Sequence, residues 1–271
     1  MLHDYHVHLE SGPYTAQWIR QYYDTAMERG LSELGFSEHA YRFSQASSLL
    51  ETSWADAAFH YDVHKYVHAV EQARQQGMAV KTGIEMDYIP SREAGIRAFL
   101  ESVHWDYIIG SVHWIGDWGF DLPRFAHEWK ERDVVDVYYS YYEILQMAIR
   151  SQLFDIIGHF DLIKVFGYRP PRNVIMTAVY ESTIRLMKDY DMVLEINTAG
   201  LYKPAGQIYP APEILQMAGK YRLPVIITSD AHCPEHVGRD FPLAQRMARE
   251  AGITTLVRFE KRKRQYVPLL A

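Results

Sequence analysis

Short apolar runs recur along the chain, each ending in a histidine, carboxylate or asparagine and each followed by a segment with helical periodicity. The first is Leu2-His3-Asp4-Tyr5-His6-Val7-His8-Leu9, where two-residue alternation sets His6 and His8 on one side of an extended segment and Val7 on the other. An amphipathic helix is predicted over 14–29, stopped by Gly30. Leu34-Gly35-Phe36-Ser37 then runs into Glu38-His39, followed by a polar loop and a helix over 54–76. Ala79-Val80-Lys81-Thr82-Gly83-Ile84 delivers Glu85 and Asp87, and 92–103 reads as helix. Tyr107-Ile108-Ile109-Gly110-Ser111-Val112 ends at His113, before an aromatic loop and a helix over 134–151. Phe154-Asp155-Ile156-Ile157-Gly158 ends at His159, with a helix over 174–188 behind it. Met192-Val193-Leu194-Glu195-Ile196 ends at Asn197, ahead of a helix over 212–220. Leu223-Pro224-Val225-Ile226-Ile227-Thr228 leads to Ser229-Asp230-Ala231-His232. A helix over 243–250 and a strand over 254–259 close the pattern.

Strand followed by helix, seven times over, predicts parallel strands joined by right-handed crossovers. An open sheet would string the strand-end polar residues along an edge, whereas a closed barrel brings them to one mouth. The expectation is therefore an α/β fold, a seven-station (β/α) variant of the eightfold barrel. No repeat or linker divides it, so one domain over 1–271 is expected.

Composition narrows the setting. Hydrophobic residues make up 48% of the chain, ample for a buried core, and no run of eighteen apolar residues is present. The polar start and the single cysteine, Cys233, give no sign of export, so a cytoplasmic location is expected. A net charge of −6 disfavours broad binding to nucleic acid, and the basic run 258–264 reads as a solvated terminal strand or tail. Thirteen histidines are the anomaly.

Collected at the strand ends stand His6, His8, Glu38, His39, Glu85, Asp87, His113, His159, Asp230 and His232. A mixed imidazole and carboxylate set suits zinc, manganese or iron, and this inventory is enough for two or three ions. Glu85 is placed by order to bridge two of them, and Glu38 to orient a histidine instead of binding. Taken singly, each histidine has an ordinary reading as a half-buried core residue; recurrence at successive strand ends favours a shared multinuclear site. His60, His64 and His68, spaced by four, read as a solvated or packed helix face. His3, His104 and His127 lack supporting partners in sequence, and Cys233 reads as a packing residue.

The pieces His6-Val7-His8, Phe36-Ser37-Glu38-His39, Gly83-Ile84-Glu85, Gly110-Ser111-Val112-His113, Gly158-His159-Phe160-Asp161, Glu195-Ile196-Asn197-Thr198 and Ser229-Asp230-Ala231-His232 resemble, in that order, the polymerase and histidinol phosphatase (PHP) family, and within it the histidinol-phosphate phosphatases. The resemblance implies a distorted (β/α)₇ barrel with a trinuclear centre. It assigns His6, His8, Glu85 and Asp230 to a first ion, Glu85, His113 and His159 to a second, and His39 and His232 to a third. Many relatives supply one more ligand from the loop after His-x-His; here 9–14 offers only Glu10.

The activity so implied is metal-dependent hydrolysis of histidinol phosphate, a step of histidine biosynthesis. A hydroxide on the paired ions would attack phosphorus, and Asp230 or a water would protonate the leaving group. Asp230, Glu85 and His232 are the candidate catalytic residues. Arg42 and Lys203 are candidate phosphate contacts, with surface cations as the plain alternative. Trp114, Trp118 and Phe120 either wall the substrate or pack on the barrel rim. The small phosphorylated metabolite is the expected partner. Competing readings are a nucleotide or phosphotyrosine phosphatase or an exonuclease of the same family, an amidohydrolase, and a metal-binding barrel without activity. Lys81 sits too early in its strand to serve as an amidohydrolase's carbamylated lysine.

Overall fold

The structure is a computed structural model describing residues 2–10, 12–50 and 61–269. Seven parallel strands run in the order β1 (Leu2–Asp4), β2 (Leu31–Phe36), β3 (Val80–Asp87), β4 (Tyr107–Ser111), β7 (Ile156–Ile157), β8 (Val193–Asn197) and β9 (Val225–Thr228). The strands missing from that count are a short ribbon, β5 (Trp114–Ile115) with β6 (Trp118–Gly119), in the loop after β4. Helices α1 (Ala16–Glu28), α2 (Val63–Gln75), α3 (Glu93–Glu101), α4 (Val134–Ser151), α5 (Thr177–Asp189), α6 (Pro212–Lys220) and α7 (Phe241–Glu250) form the crossovers. The expected (β/α) alternation is present. Helix α2 begins at Val63 because the Asp62 carboxylate accepts from His64 N at 2.9 Å and caps its first turn. The part of the expected 54–76 helix before residue 61, with His60, lies outside the described residues.

Period-two alternation sorts each strand between two environments. On β3, Val80, Ile84 and Met86 join the core beneath the helices, while Gly83 and Glu85 face the barrel interior. The inner layer comprises Tyr5, Tyr107, Ile109, Ile156, Val193 and Ile226. Tyr5 and Tyr107 stack at 4.8 Å between ring centres. Glycine on two neighbouring strands makes this possible: a Cβ at Gly83 would stand 2.3 Å from the Tyr107 ring, and one at Gly35 would stand 2.5 Å from its hydroxyl.

Two devices complete the barrel. Between β1 and β9 the ladder shrinks to one bridge, Val7 with Ala231, in which His8 N donates to Ala231 O at 2.8 Å and Ala231 N donates to His6 O at 3.1 Å. Asp4 stitches the same seam, accepting from Ser229 N at 3.1 Å, from the Ser229 hydroxyl, from Gly238 N at 3.0 Å and from His6 N at 3.3 Å. At the opposite end an antiparallel hairpin, β10 (Thr255–Glu260) and β11 (Lys263–Pro268), inserts Val257 and Phe259 into the inner layer. The basic run is thus no free tail. Arg262 grips Asp155 at 2.9 Å, Arg258 reaches Glu33 at 3.5 Å, and Lys81 pairs with Glu260. Phe259 is fully buried. Phe259→Ala is expected to cost about 3–5 kcal/mol of unfolding free energy in denaturant titration, with bound metal per chain unchanged, because the plug lies at the end of the barrel away from the histidines.

Candidate metal centre

The C-terminal strand ends raise the ladders of the inner layer by one step. Tyr107 and Ile109 give way to Ser111 and then His113; Val193 gives way to Glu195; Ile226 gives way to Thr228 and then Asp230. Glu85 lies at the centre. Its Oε2 is 2.7 Å from His39 Nδ1, 3.3 Å from His6 Nε2 and 3.6 Å from His8 Nε2. Its Oε1 is 3.1 Å from His159 Nε2 and 3.6 Å from His113 Nε2, and accepts from the Ser111 hydroxyl at 2.6 Å. Asp230 closes the other side, with Oδ1 at 3.2 Å from His8 Nε2 and 3.7 Å from His6 Nε2. His232 lies beside His8 with the rings tilted and their centres 4.4 Å apart, and its Nε2 is 3.6 Å from Glu10 Oε1.

Four sets of three donors lie close enough to hold an ion each: His6, His8 and Glu85; His6, His159 and Asp230; Glu85, His113 and His159; and His8, His39 and His232. His6 Nε2 and His8 Nε2 are buried and have no hydrogen-bond partner among the described residues. Orphaned nitrogens aimed at one point are costly unless something fills it, and a divalent cation fits this donor chemistry.

Carboxylates behind the histidines fix their rings. Glu195 Oε1 is 2.5 Å from His6 Nδ1 and accepts from Thr228 Oγ1 at 2.7 Å, and Asp87 Oδ1 is 2.7 Å from His113 Nδ1. Glu38 accepts from His39 N at 3.0 Å, Leu9 N at 3.2 Å and the Tyr14 hydroxyl at 3.1 Å, with His8 Nδ1 at 3.7 Å. Such partners set the tautomer and leave the far nitrogen free to ligate. The orienting role of Glu195 was missed in sequence, although a carboxylate flanked by Leu194 and Ile196 within a buried strand was a signal available there.

Every strand-end candidate lies in this cluster or behind it. Lys203 lines the adjoining cavity, of about 190 Å³, with Tyr41, Trp114, Asp121, Leu122 and Tyr209. Arg42 does not line it; its guanidinium faces Glu10 Oε2 at 3.9 Å and lies over the Tyr61 ring. Of the three loop aromatics only Trp114 lines the cavity, while Trp118 and Phe120 pack with Trp129 and Tyr141. His64 and His68 are exposed on α2, and His3 is buried with Nε2 on Val257 O at 2.7 Å. Lys81 stands at the plug, remote from the cluster. A larger depression of about 750 Å³ at the plugged end is lined by Arg74, Asp106 and Arg262, whose charges are consumed in ion pairs. No helix of the described residues is long and apolar enough to cross a membrane.

With the geometry in place, the chain can be set beside known proteins. The PHP domain model matches residues 4–199. The chain belongs to the PHP family. A protein of Deinococcus radiodurans described as a "probable histidinol-phosphatase" is 35% identical over 268 residues, covering 97% of this PHP chain and 98% of its own length. The histidinol-phosphatase of Bacillus subtilis is 28% identical over 257 residues, covering 87% and 95%. The crystal structure of the histidinol phosphate phosphatase of Lactococcus lactis, complexed with zinc, L-histidinol and phosphate, superposes with TM-score 0.76 at 20% identity, over 97% of this chain and 98% of that one. At that identity the superposition speaks for the shared PHP barrel, a nearly closed ring of seven parallel strands.

The charge balance of the PHP cluster has a measurable consequence. Burial alone pushes Glu85 up, but His6, His39 and His113 outweigh it and hold the carboxyl well below its ordinary range. Burial likewise disfavours charged His8 and His113, yet Asp230 and Glu38 raise His8 to about 9, and Asp87, Asp121 and Glu85 raise His113 to about 10. Without an ion these imidazoles keep their protons at neutral pH, and a cation must expel them. Zinc affinity is therefore expected to rise with pH from 6 towards 9. Calorimetry in buffers of differing ionisation enthalpy should register proton release on binding at pH 7.

Proposed function

We propose that this PHP chain is a phosphomonoester hydrolase that converts L-histidinol phosphate and water into L-histidinol and phosphate. The observation carrying the reading is the meeting of four donor triads around Glu85 and Asp230 beside a cavity sized for a small metabolite. The substrate follows the relatives that align over nearly the whole chain. A small phosphorylated metabolite also suits a chain of net charge −6, which gives nucleic acid no electrostatic footing. The reading places the reaction in the cytoplasm, in keeping with the single cysteine.

In this reading two or three divalent ions of zinc, manganese or iron occupy the cluster. His6, His8, Glu85 and Asp230 hold the first; Glu85, His113 and His159 hold the second; His39 and His232, with Glu10, hold the third. The nearness of Glu10 to His232 supports the third set, and Arg42 keeps the Glu10 carboxylate turned that way. Divalent ions in such a site supply hydroxide at neutral pH and neutralise phosphoryl oxygens, which the extreme inertness of phosphate monoesters demands. The chain's own groups do the rest. Glu195, Asp87 and Glu38 hold the imidazoles in register. Lys203 receives a phosphoryl oxygen at the cavity wall. Asp230, held by Asn197 Nδ2 at 3.4 Å, is kept ionised by His6, His8 and His232 against the effect of burial, so it acts as ligand and acceptor, and the leaving oxygen takes its proton from a water.

The test is phosphate release, with zinc or manganese, from histidinol phosphate against nucleoside monophosphates and phosphotyrosine. Histidinol phosphate is expected to lead. His8→Ala and Glu85→Gln should each lower activity by roughly 100-fold or more, the scale of damage to a metal site, and lower metal content with it. Equal turnover across the panel removes the substrate assignment, and unchanged metal content in both variants removes the centre.

A further inference from the structure

The cavity beside the metal cluster is lined by three carboxylates, and two of them, Glu85 and Asp230, face histidines. The third is Asp121. Its Oδ1 is buried and has no hydrogen-bond partner among the described residues, and the imidazole acting on it most strongly, His113, pairs with Asp87 instead. A buried, unsatisfied carboxylate oxygen is costly, so its retention calls for a partner that arrives from outside.

The backbone holds Asp121 in place. Phe120 N donates to His113 O at 3.2 Å and Leu122 N donates to Gly119 O at 3.1 Å, so both neighbours are pinned to the ribbon that closes the cavity. Phe120 is fully buried against Tyr141. The walls on either side, Trp114, Leu122, Pro123 and Tyr209, offer apolar and aromatic surface; the imidazoles that act on the carboxylate from a distance, His113 and His159, belong to the metal cluster and make no hydrogen bond to it among the described residues. The only lysine or arginine among the described lining residues is Lys203, already placed against phosphate.

We propose that Asp121 is the specificity residue for the alcohol portion of the substrate, accepting a hydrogen-bonded ammonium group carried near the ester oxygen. The inference rests on the proposed phosphatase reading and goes beyond it in naming what the cavity recognises: a phosphate ester of an amino alcohol. L-Histidinol phosphate meets that description, with its amine on the carbon next to the one bearing the ester oxygen. The cavity then has a polarity matching a zwitterion. The phosphate dianion turns to the ions and Lys203, the ammonium turns to Asp121, and the ring rests on Trp114 and Tyr209. Burial pushes the Asp121 carboxyl above its ordinary range, and Asp87 adds to this against the pull of His113 and His159. An incoming ammonium opposes that upward push and favours the charged form, in which the carboxylate is the stronger acceptor.

The experiment compares two pairs of esters: histidinol phosphate with its deaminated analogue 3-(imidazol-4-yl)propyl phosphate, and O-phosphoethanolamine with ethyl phosphate. The wild-type protein is expected to favour the amine-bearing member of each pair in kcat/KM by about 10- to 100-fold, the range of a hydrogen bond to a charged group. In Asp121→Asn that ratio should fall close to one, mainly through KM of the amine-bearing ester, with metal content unchanged. A wild-type ratio near one, or a ratio that survives in Asp121→Asn, overturns the proposal. Should Asp121→Asn fold poorly, inhibition of the wild-type protein by L-histidinol and by its deaminated alcohol gives the same answer: at least tenfold tighter binding of the amine supports it, and equal binding overturns it. The parent reading fails separately. A protein that does not favour histidinol phosphate over nucleotides, yet shows an amine preference that Asp121→Asn abolishes, keeps this proposal and loses that substrate.

Discussion

One buried negative charge organises this molecule. Glu85 is 1% exposed, and five imidazoles from four separate strand ends lie within 3.6 Å of its two oxygens. An isolated carboxylate at that depth would neutralise itself by taking up a proton. The histidines hold it ionised instead, and it joins Glu195 in raising His6, and Asp87 and Asp121 in raising His113, against the effect of burial. Protons and metal ions therefore compete for one anionic well. Metal content and imidazole charge are coupled through a single side chain.

Such a centre is not a source of stability. Gathering Glu85, Asp230, Glu195 and Asp87 within one barrel mouth sets like charges against one another, and removing their water costs more than ordinary pairing returns. The remainder of the fold offsets this. Helix-facing positions of the strands carry the main hydrophobic core, and the inner layer fills the barrel below the cluster with Tyr5, Tyr107 and four aliphatic side chains. The hairpin of β10 and β11 seals that layer from beneath, and Asp4 closes the one seam the ladder leaves weak. Ligands are thus carried on strands whose lower halves are rigid, which is what fixed metal geometry requires.

Much of this was legible in the sequence because strand ends are short and local. His-x-His, Gly-x-Glu and Asp-x-His each announce two side chains on one face, whatever the tertiary context. The alternation of apolar runs and helical segments sufficed for the parallel barrel. What escaped was non-local. Nothing near Lys263 says that β11 folds back on β10, since the seal is defined by Val257 and Phe259 meeting Tyr5 and Tyr107 from far away in the chain. Glu195 looked like part of a family motif, and only the pairing of β8 with β9 and the closing of the barrel, which brings β1 within reach, make it the partner of Thr228 and His6. Arg42 and Lys203 were equal candidates by position. Three-dimensional placement separated them, with Lys203 on the cavity wall and Arg42 turned to Glu10.

The same non-locality explains why recognition is harder to read than chemistry in this barrel. Reactivity needs donors at every strand end, and each strand advertises its own. Selectivity is set by the loops above them, where a residue's meaning depends on what its neighbours leave unsatisfied. Asp121 follows an aromatic stretch that in sequence looks like rim packing, and Trp118 and Phe120 do pack in that way. Only with those aromatics in place is the carboxylate between Phe120 and Leu122 seen to lie on the cavity wall with one oxygen buried and unpartnered among the described residues. The barrel therefore separates two tasks along its axis: strands carry the cations, and the loop after β4 carries the side chain that distinguishes one ester from another.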